Sequence, residues 1–259
     1  MNVSIIVPTY NRADLLGLAI KSVISQSCKD WELLIIDDGS TDNTRSVVAE
    51  FTQKDDRIKY FYQENKGQGA ARNVGIQNAQ GEFIAFLDSD DEWLPKKLED
   101  QVAFLDKHPE YDFCYTADVI FHSDGRSVIK RYSNSLGLTH MKLAGKGISV
   151  PSSHMYRKKV FDEVGLFNES RDLIGLEDNE WSVRASSLRG FYIDKSLTVY
   201  RVHAGQITKE NIEKKLKKQI RGLAFILRKN FSIIAKDKKA LLFRIGQIVY
   251  LQVKYVVRI

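Results

Sequence analysis

Short apolar runs and helix-spaced apolar positions take turns along the first hundred or so residues. Val3 to Val7 is a run of mostly β-branched residues and predicts a strand. From Arg12 to Ser25, Leu15, Leu16, Ala19, Ile20, Val23 and Ile24 recur at three- and four-residue intervals and predict a helix. Leu33 to Ile36, Ile58 to Tyr62 and Phe83 to Leu87 predict three further strands. Helices are predicted to open at Thr41-Asp42, with Val47, Val48 and Phe51 on one side, and to run from Gly69 to Ala79. Strands that read as continuous apolar runs, separated by helices, predict an α/β fold: a Rossmann-like, mostly parallel central sheet flanked by helices.

The pattern is less regular from Tyr111 to Val202, where short strands and one helix, Glu177 to about Leu188, are predicted. Beyond Gly205 it changes again. Ile212, Leu216, Ile220, Leu223, Leu227, Phe231 and Ile234 form an apolar stripe between Lys and Arg residues, and a second helical segment spans Leu241 to Val257. Polar residues interrupt both segments short of the about 20 apolar residues that a membrane span needs. The predicted organisation is a domain over 1–205, with halves 1–110 and 111–205, and a basic amphipathic helical tail over 206–259.

Charge sharpens that division. The net charge is +6, but 206–259 holds 14 Lys and Arg against 3 Asp and Glu, a balance of +11, which leaves −5 for the rest. Such a tail suits an anionic membrane surface, an acidic partner or self-association as a homodimer, and it also suits plain packing on the domain with its cations solvated. No nucleic-acid-binding motif accompanies it, so nucleic acid is not an expected partner. Cys28 and Cys114 are far apart and lack metal-ligand spacing, which argues for a reducing compartment and against a zinc site. The start, Met1 to Val7, reads as a strand rather than a signal peptide. The expected location is cytoplasmic, peripheral on the inner face of the cell membrane if the tail binds lipid.

Three polar clusters follow predicted strand ends: Pro8-Thr9-Tyr10-Asn11-Arg12, Asp37-Asp38-Gly39-Ser40-Thr41-Asp42, and Asp88-Ser89-Asp90-Asp91. In parallel α/β sheets that edge is where ligands bind. Packed carboxylates repel one another and call for a cation, and an oxygen-rich set suits Mg2+ or Mn2+. The plainer alternative for the last cluster is an acidic turn before a helix. In the second cluster Ser40, Thr41 and Asp42 suit turn and capping roles, which leaves Asp37 and Asp38 free to bond a base or ribose. Within Gly67-Gln68-Gly69-Ala70-Ala71-Arg72-Asn73-Val74-Gly75, the small residues suit close approach of a helix to the sheet. Arg72 and Asn73 are the better candidates for ligand contact.

In this order, these motifs resemble those of family 2 inverting glycosyltransferases of the GT-A fold, over about Met1 to Gly205. The resemblance implies that Pro8, Thr9, Tyr10, Arg12, Asp37, Asp38, Arg72, Asp88 and Ser89 bind the nucleotide, and that Asp90 ligates Mn2+ or Mg2+. Glu177-Asp178 resembles the family's acidic pair at the start of an acceptor-side helix, which makes Asp178 the catalytic base and places Glu177 near the acceptor; Trp181 is a candidate aromatic platform for a sugar face, with a core residue as the plainer alternative. On residue type alone that pair is an ordinary helix cap. His203, in Tyr200-Arg201-Val202-His203, matches the histidine that supports the metal or diphosphate. The implied activity is transfer of a sugar, hexosyl or N-acetylhexosaminyl, from a nucleotide-sugar, most simply a UDP-sugar, to a glycan or lipid-linked acceptor in bacterial surface polysaccharide synthesis. A nucleotidyltransferase would carry a Gly-rich loop after the first strand, and Pro8 to Arg12 is not one. A non-catalytic sugar-nucleotide-binding or glycan-binding subunit would have no need of Asp88, Asp90 and Asp178 together.

Overall fold

The computed structural model describes residues 2–132, 149–203 and 212–256. Its central sheet carries β1 (Val3–Thr9), β2 (Trp31–Asp37), β3 (Ile58–Tyr62), β4 (Phe83–Phe86), β5 (Glu92–Trp93), β6 (Phe113–His122), β7 (Ser127–Lys130), β8 (His154–Arg157) and β9 (Gly190–Val202). The strand order is β3-β2-β1-β4-β8-β6-β9-β5, with β7 paired to β6. The expected parallel arrangement holds for β3, β2, β1 and β4. Past β4 the sheet is mixed: β8 runs antiparallel to both β4 and β6, whereas β9 runs parallel to β6. Here the strands are no longer joined by regular crossover helices, so the parallel rule loses its basis.

Alternation along β1 and β2 builds both faces at once, because successive strand residues point to opposite sides. Val3, Ile5 and Val7 join Leu33 and Ile35 in one core. That core is covered by α1 (Ala13–Ile24), α2 (Thr44–Thr52) and α4 (Lys97–Lys107) through Leu16, Ile20, Val48 and Leu98. Ile6, Leu34 and Ile36 face the other way. They meet α3 (Gln68–Asn78), α5 (Lys159–Val164) and α6 (Glu177–Arg184) through Ala71, Val160 and Trp181. With both faces covered, β1 and β2 are buried along their whole length, and the buried Ser4 hydroxyl donates to Glu32 at 2.6 Å.

Helix α3 sits unusually close to the sheet at Gly75, as its small residues suggest. A Cβ there would lie 2.4 Å from Ile6 Cγ2 and 3.0 Å from Ile6 Cγ1. This contact fixes the height of α3 over β1, and with it the position of Arg72 one turn earlier.

The tail folds as α7 (Ile212–Lys229), a one-turn α8 (Phe231–Ile234) and α9 (Lys238–Val256). It is not a detached appendage: Ile226, Ile234 and Ala240 share a core with Leu173 and Val183 of the body. The apolar stripe predicted through Phe231 breaks at Asn230, whose side-chain amide turns inward to Glu180 (3.3 Å) and to the Ile226 carbonyl (3.3 Å), leaving Phe231 exposed. The expected boundary at 205/206 and the helix end at Val257 lie outside the described residues. Among those described, no helix is long and apolar enough to cross a membrane.

A Gly75→Ala substitution tests the close approach. Overpacking against the buried Ile6 costs about 1–3 kcal/mol, more than the roughly 1 kcal/mol alanine gains in a helix. Thermal unfolding is therefore expected at a lower temperature in the variant, although alanine is the better helix former.

Candidate active site

The loops after β1 and β2 are clasped together. Asn11 takes a left-handed backbone (φ 51°) that its short polar side chain tolerates. Its amide donates to Ser40 Oγ (2.9 Å), and its Oδ1 accepts from the amides of Thr41 (2.8 Å) and Asp42 (3.3 Å). The Asp38 amide donates to the Thr9 carbonyl at 2.8 Å. Pro8 and Thr9 are buried at the end of β1, while Tyr10 projects outward, half exposed. Among the described residues, the buried Thr9 hydroxyl has no hydrogen-bond partner.

Asp37 and Asp38 do not stand free as the sequence suggested. Asp37 accepts from the Ser40 amide (2.8 Å) and the Tyr60 hydroxyl (2.7 Å). Asp38 accepts from Gln63 Nε2 (2.6 Å) and from the amides of Lys66 (2.8 Å) and Gly67 (2.9 Å). The loop entering α3 bends back with Gly67 at φ 96°, and its otherwise unpaired amides take these carboxylate oxygens. Both aspartates therefore brace the loops around the end of β2. The helix after β2 begins at Thr44, with Asp42 accepting from the Thr44 amide (3.0 Å).

Past β4, the four residues of the acidic cluster diverge in role. Asp88 accepts from Gln68 Nε2 (3.0 Å) and Arg72 Nη2 (3.1 Å), and its amide donates to Ser152 Oγ (3.1 Å). Ser89 is buried. Asp90 reaches across to His203 Nε2 at 3.0 Å and lies 4.0 Å from Arg12 Nε. Asp91 turns inward, accepting from the Ser152 hydroxyl (2.6 Å) and the Arg201 amide (3.2 Å). Asp91 thus ties the end of β9 to the end of β4, and this brings His203 to Asp90. Arg201 itself pairs with Glu92.

Arg72 joins this edge to the start of α6. It is 2% exposed, and its guanidinium meets Asp88 on one side and Glu177 Oε1 (3.5 Å) on the other, with the Phe86 and Phe167 rings beside it. Burial disfavours the cation, but Asp88, Glu177 and Asp178 outweigh it and hold the arginine charged. Glu177 also accepts from the Gly175 amide (2.6 Å), so its carboxylate is engaged inside the protein rather than presented to an acceptor. Asp178, the next residue on α6, is exposed and accepts from the Asn179 amide at 2.8 Å. It lines a cavity of about 270 Å3 together with Arg72, His154, Tyr156, Asn179 and Trp181. Trp181 is 3% exposed and donates its Nε1 to the Gly165 carbonyl (2.8 Å), so it is a core residue that offers the cavity part of its ring.

Electrostatics tie the two sides together. Burial pushes the Asp88 carboxyl above the usual carboxylate range; Arg72 pulls it down, while Asp90 and Asp178 push it further up. Burial likewise raises Asp91 well above that range, reinforced by Asp88 and Asp90. Both carboxyls are thus held towards the neutral form, first by burial and then by one another. Among the described residues, no group of three or more His, Cys, Asp or Glu side chains is arranged to hold a metal ion alone. Asp90 and His203, with Asp88 beside them, nevertheless fit the sparse protein ligation of Mg2+ or Mn2+, which take much of their shell from phosphates and water.

Three further residues build the site. Ser152, in a short turn before β8, carries no signal in the sequence; it receives the Asp88 amide and donates to Asp91. Gln68 and Asp91 lie within the glycine-rich and acidic motifs, but their individual contacts depend on the fold.

A parallel nucleotide-side sheet edge, a mixed second half and acidic residues from β4 and α6 meeting near one arginine define a GT-A-type fold. The chain belongs to glycosyl transferase family 2, whose model matches residues 4–165. It is 34% identical over 212 residues to a Campylobacter jejuni GalNAc(5)-diNAcBac-PP-undecaprenol beta-1,3-glucosyltransferase, covering 77% of this chain and 64% of that protein. It is 40% identical over 129 residues to Bacillus subtilis TuaG, assigned to teichuronic acid biosynthesis, covering 49% of this chain and 51% of that one. Among solved structures, residues 1–349 of Staphylococcus aureus TarS bound to UDP-GlcNAc superpose with a TM-score of 0.71 at 25% identity, covering 94% of this chain and 72% of TarS 1–349. A Pyrobaculum calidifontis mannosyltransferase with GDP-Man and Mn2+ shares the fold, with a TM-score of 0.67 at 17% identity and coverage of 95% and 73%. The matches to curated relatives cover 18% to 65% of their lengths.

Asp91→Asn tests the crowding of acid. A raised carboxyl keeps its proton longer in the folded than in the unfolded chain, so its contribution to stability is lost as pH rises above the ordinary carboxylate range. Urea unfolding in a chelator at pH 5 and pH 8 is expected to show a smaller loss at pH 8 for the variant than for the unmodified chain. An equal loss in both assigns the pH dependence to other groups.

Proposed function

We propose that this chain is an inverting glycosyltransferase that moves a sugar from a UDP-sugar to a glycan or lipid-linked acceptor in bacterial surface polysaccharide synthesis, on the cytoplasmic side of the membrane. The observation that carries this reading is the pair of contacts by which Arg72 holds Asp88 (3.1 Å) and Glu177 (3.5 Å), the near neighbours of Asp90 and Asp178. These contacts bring the donor-side and acceptor-side carboxylates close together on either side of one guanidinium. The UDP-GlcNAc bound to TarS supports a UDP-sugar, and the undecaprenol-linked name of the Campylobacter relative supports a lipid-linked acceptor.

In this reading, Thr9 and Tyr10 meet the nucleotide beside the loops that Asp37 and Asp38 brace, and Asp88 approaches the ribose. Asp90 and His203 would hold Mg2+ or Mn2+, whose charge would offset that of the departing diphosphate. Asp178 takes the proton of the acceptor hydroxyl as its oxygen bonds to the anomeric carbon and the bond to the diphosphate breaks. UDP leaves on the opposite face, so the configuration inverts. Exposed at the cavity mouth, Asp178 is accessible to an incoming alcohol.

Asp90→Ala and Asp178→Asn are each expected to lower transfer by at least about 100-fold. Calorimetry with UDP and Mn2+ separates their roles: binding is expected to weaken strongly in Asp90→Ala and to persist in Asp178→Asn. Equal loss of binding in both variants contradicts the division of labour.

A further inference from the structure

Helix α9 is apolar on its outer face as well as its inner one. Its inner face packs Ala240 and Leu241 on the core and carries a fully buried Arg244, whose Nη1 donates to Asn179 Oδ1 at 2.7 Å. Its outer face presents Leu242, Phe243, Ile245, Val249, Tyr250 and Val253, all between 37% and 69% exposed. A surface helix of a soluble domain turns a polar face outward, and six large apolar side chains in one continuous stripe exceed the scattered exposure normal for such surfaces.

The surroundings of this stripe specify what covers it. Helix α9 contains no acidic residue. Lys238 and Lys239 stand exposed at its start. Towards its end Lys254 lies 5.9 Å from the Tyr250 ring centre, and Lys217 of α7 lies 5.3 Å from that of Tyr255. Tyrosines at an apolar edge with lysine stems over them suit the boundary between lipid tails and headgroups, where both residue types keep their polar ends in water. A second copy is a poorer occupant, because it brings another tail of +11 against this one.

We propose that the outer face of α9 docks on an anionic lipid surface, its apolar stripe in the headgroup region and its lysines on the lipid phosphates. Docking sets the acceptor side at the membrane, since the opposite face of the same helix touches Asn179, next to Asp178. One helix diameter, about 10 Å, separates the two faces. This placement of the acceptor rests on the reading of Asp178 above; the docking itself does not.

Flotation of the full chain with vesicles tests the proposal. Vesicles of phosphatidylglycerol and phosphatidylcholine are expected to bind the chain, less so at high salt, and vesicles of phosphatidylcholine alone far less. A Leu242→Ser, Val249→Ser, Val253→Ser variant is expected to lose at least about ten-fold in partitioning. Because these side chains are exposed, its UDP affinity and unfolding temperature are expected to stay unchanged, which separates lost docking from lost folding or lost nucleotide binding. Lys238→Glu with Lys239→Glu is expected to weaken binding to the anionic vesicles. Absence of binding to anionic vesicles, or binding that the triple variant retains in full, overturns the proposal. A dimer by light scattering that the triple variant converts to monomer, with no vesicle binding, overturns it in favour of a second copy.

Discussion

A buried guanidinium must be matched by buried carboxylates, and here the match determines how two halves of the protein meet. Arg72 is nearly inaccessible, and removing either acidic partner would leave charge stranded in a poorly solvated place. Asp88 comes from the end of β4, on the side where the parallel strands finish. Glu177 comes from the first turn of α6, 105 residues after Arg72 in sequence. By satisfying both, Arg72 fixes the distance between a strand edge and a helix start. Asp90 and Asp178, the side chains proposed to act on the substrates, are neighbours of those anchors rather than the anchors themselves.

This division explains why acidic pairs occur twice. In Glu177-Asp178, the first residue turns inward to Arg72 and the Gly175 amide, and the second projects into the opening. In Asp90-Asp91 the order is reversed: Asp90 reaches His203 while Asp91 is buried on Ser152 and the β9 backbone. In each pair one carboxylate positions and one is presented. The carboxylates gathered around Asp88 and Asp90 are groups that a divalent cation would offset, and the same cation would balance the charge of a diphosphate. The tail extends the same construction, since Asn230 and Arg244 brace α6 from behind through Glu180 and Asn179.

The nucleotide-side sheet was legible because each of its strands is a short apolar run ending in a polar cluster, and strand ends collect ligands. The close seat of α3 was legible from Ala70, Ala71 and Gly75. Hydrogen bonds that depend on backbone bends were not. Nothing in Asp37-Asp38 reveals that the chain near Lys66 and Gly67 folds back and claims the Asp38 oxygens. Ser152 was equally invisible, because a serine in a short turn acquires meaning only when Asp88 and Asp91 arrive on either side. The mixed half of the sheet escaped because short strands in irregular spacing carry no signal of direction. The break at Asn230 escaped because helical periodicity continues straight through it.

The most direct measurement is a crystal structure of the chain with UDP and Mn2+. The diphosphate is expected beside Asp90, with Asp178 facing it across one opening and Arg72 still bridging Asp88 and Glu177. A diphosphate bound away from Asp90, or on a surface that Asp178 does not share, would contradict the single-cleft arrangement on which the proposed activity depends.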